Sequence, residues 1–228
     1  MKAMILAAGR GERMRPLSDS IPKPLLPLHG EMLIEKHLRR LAAINVRDIV
    51  INISYLADQI RSALGDGSQY GVTITYSYEP EPLEAAGGII QALPLLGQDP
   101  FIMVSADIVV DYPFEKLYLR ELNHLGHLVC VENPIWHTAG DFGIAQQFII
   151  SKAEAEKTYT YANVGIISPQ LVAGYEPGKR KIGAIFEQAA QKKLLSGEIY
   201  SGVWHNIGTI ALYEEAKQMI CSQKGCTA

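Results

Sequence analysis

The sequence has little cysteine, no long hydrophobic run and no excess of charge of one sign. Three cysteines, Cys130, Cys221 and Cys226, are too few and too scattered for a disulfide scaffold, and no CxxC pair is present to bind zinc. The longest apolar runs fall far short of a membrane span. Because 21 basic residues face 24 acidic ones, no cationic field is available for a nucleic-acid backbone. We therefore expect neither a membrane nor a nucleic-acid partner.

The composition is typical of a globular protein. Hydrophobic residues make up 48% of the 228 positions and charged residues 20%, which excludes disorder, a collagen-like chain and a coiled coil. The short apolar run at the amino terminus is followed at once by charged residues and is too short for a secretory signal. We expect a cytoplasmic protein that is a monomer or a small homo-oligomer.

Short apolar runs alternate with helix-period stretches in the first half of the chain. The pattern predicts strands at residues 3–8, 48–53, 72–77 and 100–105, a loop at 9–30, and helices at 31–43, 56–64, 85–93 and 114–122. Strands that alternate with helices of this length predict an α/β fold with a mostly parallel sheet covered on both faces. Ligands of such sheets bind at the carboxyl ends of the strands.

After residue 126 the pattern becomes richer in strands. Strand-like segments occur at residues 128–131, 143–150, 158–167 and 199–203, and helices are predicted at 182–193 and 209–220. We expect one domain over residues 1–228, with an α/β half at about 1–125 and a β-rich half at about 126–228 that forms a wall of the ligand cleft.

The segment that follows the first predicted strand carries most of the chemical information. Small residues there let backbone N–H groups approach a ligand, as phosphate-binding loops require; they are Ala7, Ala8, Gly9 and Gly11. Met14 stands where a dinucleotide-binding fingerprint needs a third glycine, and the Gly-Lys-Ser/Thr of a P-loop is absent. Neither of those two loop types is therefore present.

The same segment concentrates positive charge. Arg10, Arg13 and Arg15 lie within it, and Lys23 follows between two prolines. The prolines fix φ on both sides of Lys23, so the ammonium is pre-positioned. A cation held in this way indicates a phosphate ligand, whereas a solvated loop with surface arginines is the alternative interpretation.

These motifs resemble the signature of the sugar-1-phosphate nucleotidyltransferases. The resemblance is carried by residues 9–17 together with Pro-Lys-Pro at 22–24. Residues 82–89 resemble the second glycine segment of the family, 105–107 its metal-binding aspartate, and 204–209 its second aspartate before Gly-Thr. The resemblance implies a Rossmann-like three-layer sandwich of the nucleotide-diphospho-sugar transferase type, with a nucleotide-binding first half and a sugar-side second half.

The resemblance also implies an activity. Members of this family join a nucleoside triphosphate and a sugar 1-phosphate and release pyrophosphate. The short length and residues 12–17 and 82–84 are most similar to the branch that uses UTP with N-acetylmuramate 1-phosphate in cell-wall recycling. A guanylyltransferase acting on mannose 1-phosphate and a nucleotide-sugar-binding protein with reduced turnover are the alternatives.

Each site residue receives its role from the same resemblance. It implies that Arg13 and Lys23 are catalytic and that Asp107 and Asn206 hold Mg²⁺. It implies that Asp141 and Asn163 line the sugar side. The implied nucleotide-binding residues are Leu6, Ala7, Ala8, Gly9, Gly11, Glu84, Gly87 and Gly88.

The sequence departs from the family pattern at three places. Ala106 precedes the metal-binding aspartate where a glycine is usual, Ala85 and Ala86 stand where close relatives have Thr-Gly, and Asn206 replaces an aspartate. A carboxamide is a weaker Mg²⁺ ligand than a carboxylate. Three outcomes stay open: one acidic ligand suffices, another carboxylate such as Asp111 or Glu12 substitutes, or the site binds ligand without turnover.

Several other residues are expected to be structural. His37 lies on an apolar helical face, which predicts core packing, and we expect Trp136 and Trp204 to pack as well. Of the glutamates in the proline-rich loop, Glu79 and Glu81 are expected in solvent and Glu84 near the ligand.

Overall fold

The computed structural model describes residues 1–223, with side chains through residue 219. Its strands are β1 Ala3–Leu6, β2 Pro27–Leu28, β3 Glu31–Met32, β4 Asp48–Ile53, β5 Thr73–Tyr78, β6 Phe101–Ser105, β7 Ile108–Val110, β8 Gly126–Val131, β9 Phe142–Ala145, β10 Phe148–Ile150, β11 Thr158–Ile167, β12 Leu195–Ile199 and β13 Trp204–Asn206. Its helices are α1 Leu17–Ser20, α2 Leu33–Ala43, α3 Ala57–Leu64, α4 Glu84–Leu96, α5 Glu115–Tyr118, α6 Ile182–Gln191 and α7 Ile210–Gln223. Short 3-10 turns occur at Glu12–Met14, Lys23–Leu25, Ser68–Tyr70, Lys152–Glu154 and Pro169–Leu171.

A mixed sheet of nine strands runs through both halves of the chain in the order β5-β4-β1-β6-β11-β8-β12-β10-β9. β1 pairs in parallel with β4 and β6, β4 pairs in parallel with β5, and β8 pairs in parallel with β12. β11 runs antiparallel between β6 and β8. The carboxyl ends of β1, β4, β5 and β6 therefore meet at one edge, which confirms the predicted Rossmann-like α/β sandwich with a β-rich addition.

The sheet is covered on both faces because successive strand residues point to opposite sides. On one face Ile5 and Val104 pack with Leu38 of α2. On the other face Met4 packs in a second cluster with Phe186 of α6. All five side chains are fully buried, so the central strands β1 and β6 are covered on both faces at these positions.

Several predicted elements differ from the structure. The helix predicted at 114–122 is only the four residues of α5, and the loop predicted at 9–30 contains α1 and short turns. The strand predicted at 199–203 is misplaced, because the pairing of β12 ends at Ile199 and that of β13 begins at Trp204. Residues 143–150 form the hairpin of β9 and β10, with Gln146 at φ 58 in the turn. In each case pairing with a distant strand, or a turn conformation, overrides the local pattern.

No helix within residues 1–223 is both long enough and apolar enough to cross a membrane. Cys130 is buried in β8 as a free thiol, and burial raises its pKa to about 12. The predictions about Cys221 and Cys226 lie outside the described side chains.

Candidate active site

A cleft of about 1210 Å³ opens at the carboxyl ends of β1, β4, β5 and β6. Of the residues predicted to act in catalysis, nucleotide binding or metal binding, the cleft brings together Leu6, Ala7, Ala8, Gly9, Gly11, Arg13, Lys23, Glu84 and Asp107. Glu84 begins α4 with a φ of 62. A non-glycine residue in this left-handed region carries strain, which is often found at functional sites.

Lys23 is held against Asp107 inside this cleft. The lysine occupies a 3-10 turn between Pro22 and Pro24, and the Leu25 N–H donates to the Pro22 carbonyl at 2.8 Å. Its Nζ donates to Asp107 Oδ2 at 2.5 Å, and only 11% of the lysine side chain is exposed. The pre-positioned ammonium that the flanking prolines predicted is therefore present.

The three arginines of the first loop have different surroundings. Arg13 lines the cleft, and a Cβ built on Gly208 would lie 3.4 Å from its Nη2. Arg10 lies at the cleft with its guanidinium 5.4 Å from the centre of the Tyr55 ring. Arg15 pairs instead with Asp19 at 3.1 Å, with both side chains more than half exposed. Arg13 is thus the arginine nearest to the loop that follows Asn206.

Two glycines of the loop differ in what they allow. Gly11 has a φ of 67, and a Cβ there would lie 3.2 Å from the Ser18 Cβ. The Ser18 hydroxyl donates to the Gly11 carbonyl at 2.7 Å, which closes the turn. A Cβ on Gly9 would meet nothing within 4 Å. Gly11 is therefore required by the turn, whereas the backbone at Gly9 is open to the cleft.

Two buried polar residues that the sequence analysis missed support the cleft wall. Asn52 Oδ1 accepts the Ala7 N–H at 2.9 Å, and its Nδ2 donates to Glu79 Oε1 at 2.7 Å. Glu79 Oε2 accepts the Leu83 N–H at 2.8 Å. These bonds tie the ends of β1, β4 and β5 to the start of α4. A polar residue inside the apolar run of β4 was the signal that could have identified Asn52.

The expectation that Glu79 lies in solvent is wrong. The residue is 0% exposed, and burial raises the pKa of its carboxyl while the bonds from Leu83 and Asn52 lower it. Glu81 is exposed, as predicted. The difference arises because Glu79 follows β5 directly and faces the interior at the end of the strand.

Gly87 and Gly88 are buried in α4, do not line the cleft, and face protein atoms, while their role in nucleotide binding stays a prediction. A Cβ on Gly87 would lie 2.3 Å from the Gly178 carbonyl oxygen. A Cβ on Gly88 would lie 2.5 Å from Glu79 Oε1 and 2.6 Å from Asn52 Nδ2. The missing side chains make room for protein atoms of the cleft wall.

Asp107 and Asn206 are brought together by the pairing of β7 and β13. Asn206 lies opposite Ile108, and the Ile207 N–H donates to the Asp107 carbonyl at 2.8 Å. The Asn206 Oδ1 is buried and has no hydrogen-bond partner in the described part of the chain. The backbone pairing thus places side by side one carboxylate and one unpartnered carboxamide oxygen, which are hard donors of the kind that a divalent ion such as Mg²⁺ takes.

Other carboxylates add little to this pair. Across residues 1–223 no group of three or more His, Cys, Asp or Glu side chains is arranged to hold a metal ion. Asp111 accepts a hydrogen bond from the Tyr200 hydroxyl and does not line the cleft. Glu12 does line the cleft.

A second cavity of about 300 Å³ contains the predicted sugar-side residues. It is lined by Trp136, His137, Asp141, Phe142, Thr160, Tyr161, Asn163, Ile182, Gly183, Phe186 and Asn206. Asp141 Oδ2 accepts the Tyr161 N–H at 2.8 Å, and Oδ1 lies 3.0 Å from His137 Nε2. Asn163 has a φ of 58 at an irregularity of β11. Asn206 lines this cavity, and Gly208, two residues further along the chain, lines the cleft.

The structural predictions for the aromatic residues hold in part. His37 is buried beside Phe114, with Nε2 3.0 Å from the Ile108 carbonyl oxygen, which confirms core packing. Trp204 packs and donates from Nε1 to the Ala162 carbonyl at 2.9 Å. Trp136 stacks on Trp204 at 6.0 Å but is 45% exposed, so it forms the rim of the second cavity rather than core.

Comparison with known proteins agrees with this arrangement. The family model described as Nucleotidyl transferase matches residues 2–223. The N-acetylmuramate alpha-1-phosphate uridylyltransferase of Neisseria meningitidis serogroup B is 43% identical over 96% of this chain and 98% of its own length. The mannose-1-phosphate guanyltransferase of Schizosaccharomyces pombe is 30% identical over 91% of the chain, which spans only 61% of that relative.

Solved structures show the same fold. A putative glucose-1-phosphate thymidylyltransferase from Bacillus anthracis, in complex with a sucrose, has a TM-score of 0.83 at 21% identity, over 96% of this chain and 94% of its own. At that identity the likeness shows the architecture alone. The sequence relatives and the family model show more, and the chain belongs to the nucleotidyl transferase family.

Proposed function

We propose that this protein transfers the uridylyl group of UTP to N-acetylmuramate 1-phosphate, as part of cell-wall recycling. The observation that carries the proposal is the convergence of Arg13, Lys23 and Asp107 in one cleft, with Lys23 Nζ 2.5 Å from Asp107 Oδ2. The choice of substrates rests on the full-length similarity to the Neisseria enzyme. A cytoplasmic location belongs to the proposal because the reaction consumes a nucleoside triphosphate.

The proposed reaction needs no general base. A phosphate oxygen of the sugar 1-phosphate, already ionised at neutral pH, attacks the α-phosphorus and forms the new P–O bond. The bond between the α-phosphorus and the bridging oxygen breaks, and pyrophosphate leaves with the electron pair. The barrier lies in bringing two polyanions into line, so catalysis consists of positioning and charge compensation.

In this proposal each cation has one task. The planar fork of Arg13 binds the triphosphate and the departing pyrophosphate. Lys23 leaves Asp107 and compensates the charge of the α-phosphate or of the incoming sugar phosphate. The backbone from Leu6 to Gly11 and the side chain of Glu84 form the nucleotide side, because they line the same cleft.

Asp107 and Asn206 would hold Mg²⁺ in this arrangement. When bound there, the ion would supply positive charge to the triphosphate oxygens. The sugar enters the second cavity, where Asp141 and Asn163 lie beside the same Asn206.

Two alternative functions each have an observation in their favour. Mannose-1-phosphate guanyltransferases from fungi are also relatives, but this chain spans only 61% of the Schizosaccharomyces pombe protein. A nucleotide-sugar-binding protein without turnover would follow from the neutral oxygen that Asn206 offers in place of a carboxylate.

Pyrophosphate release separates these functions. The enzyme is incubated with each of UTP, GTP, CTP, ATP and dTTP, paired with the 1-phosphates of N-acetylmuramate, N-acetylglucosamine and mannose, while Mg²⁺ is titrated. We expect the highest kcat/KM with UTP and N-acetylmuramate 1-phosphate. Preference for GTP with mannose 1-phosphate would favour the first alternative, and nucleotide binding without release from any pair would favour the second.

A further inference from the structure

Tyr161 carries a buried hydroxyl whose hydrogen-bonding capacity is unused. The residue lies in β11, is 8% exposed, and packs edge-on against Phe186 with 5.4 Å between ring centres. Its hydroxyl has no hydrogen-bond partner among the described residues. Burial, with smaller contributions from Cys130 and Asp141, raises the pKa of this phenol, so it keeps its proton and is available as a donor. Proteins rarely leave such a group unpaired, because the desolvation is not compensated.

The surroundings of Tyr161 are largely apolar, and the second cavity lies beside its ring. It lines the second cavity together with Phe142, Ile182 and Phe186, whose side chains carry no polar atoms. Gly183, in the first turn of α6, keeps one side clear, since a Cβ there would meet nothing within 4 Å. A ligand group that enters here therefore meets hydrocarbon walls, and a turn of the Tyr161 ring towards it brings the covered hydroxyl within reach.

The polar groups of the same cavity limit what that ligand group can be. Both carboxylate oxygens of Asp141 are engaged, one by the Tyr161 N–H and the other by His137. A negatively charged group would enter beside this carboxylate, which disfavours it. A simple hydroxyl would leave the apolar walls without a partner. An acetyl group matches both features, because its carbonyl oxygen accepts a hydrogen bond from the hydroxyl and its methyl group contacts the apolar walls.

We propose that Tyr161 recognises the N-acyl group of an amino-sugar 1-phosphate, with its hydroxyl donating to the acyl carbonyl and the methyl packing against Phe142 and Phe186. This inference rests on the proposed function in one respect, that a sugar 1-phosphate is the ligand of the second cavity. Tyr161 is then a specificity residue, because it contacts the substrate away from the phosphorus that reacts.

The test compares Tyr161→Phe with wild type and with Tyr175→Phe, a control whose hydroxyl bonds Gln188 outside both cavities. N-acetylmuramate 1-phosphate and its de-N-acetylated counterpart are the probes. For Tyr161→Phe we expect kcat/KM with the N-acetylated sugar to fall about tenfold, mainly through KM, which is the size of one lost hydrogen bond. The de-N-acetylated sugar should be used as before, and Tyr175→Phe should match wild type.

Two further readouts separate the possible outcomes. The melting temperature of Tyr161→Phe should equal or exceed that of wild type, because an unpaired buried hydroxyl has been removed. An unchanged preference for the N-acetylated sugar would overturn the inference, as would a loss confined to N-acetylmuramate 1-phosphate while N-acetylglucosamine 1-phosphate is unaffected. The upward shift in melting temperature on adding each sugar measures binding without turnover. The melting-temperature shifts therefore test the role of Tyr161 even if no pyrophosphate is released.

Discussion

At the scale of single residues, the cleft holds its cations in place before a ligand arrives. Lys23 is 11% exposed and bonded to Asp107, whereas Arg13 is placed by a short turn that Gly11 and Ser18 close. A cation that is already positioned loses little conformational freedom when phosphate binds. Arg13 and Lys23 therefore present positive charge to the cleft although the chain as a whole carries a small net negative charge.

We expect Arg13→Ala and Lys23→Ala each to lower kcat/KM for pyrophosphate release by about a hundredfold or more, because each removes charge compensation from the transition state. Arg15→Ala is the matched control, since Arg15 pairs with Asp19 in solvent. It should stay within about twofold of wild type, as surface pairs contribute little. Equal losses in all three variants would mean that the loop acts through folding and not through charge.

Asn206 offers a second prediction at this scale. Asn206→Asp places a carboxylate where the buried Oδ1 has no partner among the described residues. Activity should stay the same or rise, and the Mg²⁺ concentration for half-maximal activity should fall, because Mg²⁺ prefers a carboxylate to a carboxamide. Titrating Mg²⁺ against initial rate measures both. If the substitution abolished activity that wild type has, Asn206 would not be a metal ligand.

At the scale of elements, the cleft wall depends on the fit of α4 against the ends of the strands. Gly88 leaves the space that Glu79 and Asn52 fill, and these two residues connect β1, β4, β5 and α4. The nucleotide side of the cleft is therefore built by a buried hydrogen-bond network, although most residues that line it are in loops.

Gly88→Ala should lower the free energy of unfolding by about 2 kcal/mol, the usual cost of overpacking a well-filled interior. Denaturant unfolding followed by circular dichroism measures it. Gly183→Ala is the control for stability, because its Cβ enters open space and alanine favours a helix. It should be neutral or slightly stabilising. Equal stability of the Gly88 variant and wild type would contradict the close contacts described for this glycine.

At the scale of the whole molecule, one buried histidine links stability to pH. Burial, followed by the charge of Arg40, lowers the pKa of His37 from 6.5 to about 4. The folded state therefore holds His37 neutral, while the unfolded state binds a proton below pH 6.5. Its contribution to stability is full above pH 6.5 and is lost as the pH falls towards 4.

The loss from His37 alone should reach about 3 kcal/mol of unfolding free energy between pH 6.5 and 4. His37→Gln keeps a donor for the Ile108 carbonyl but does not titrate, so its unfolding free energy should depend less on pH in this window by that amount. Urea unfolding of both proteins at several pH values makes the comparison. Parallel pH profiles would show that His37 is not protonated on unfolding.

Local sequence was sufficient for much of this molecule. The alternation of apolar runs with helix-period stretches predicted the parallel strands and the covering helices, because burial on both faces leaves a pattern in neighbouring residues. The small residues of the first loop and the prolines around Lys23 predicted a held cation, since both restrict the backbone locally. The resemblance of those same residues to the family signature implied the family, which the comparisons then showed.

Other features were decided only when distant segments met. The roles of Asn52 and Glu79, the packing that requires Gly88, and the strands β12 and β13 each depend on a partner far along the chain. The same is true of the unpaired hydroxyl of Tyr161, which becomes visible only once the second cavity has formed. Restriction of the backbone depends on residues that are neighbours in the sequence. The burial and pairing of a polar group depend instead on which surfaces the fold brings together.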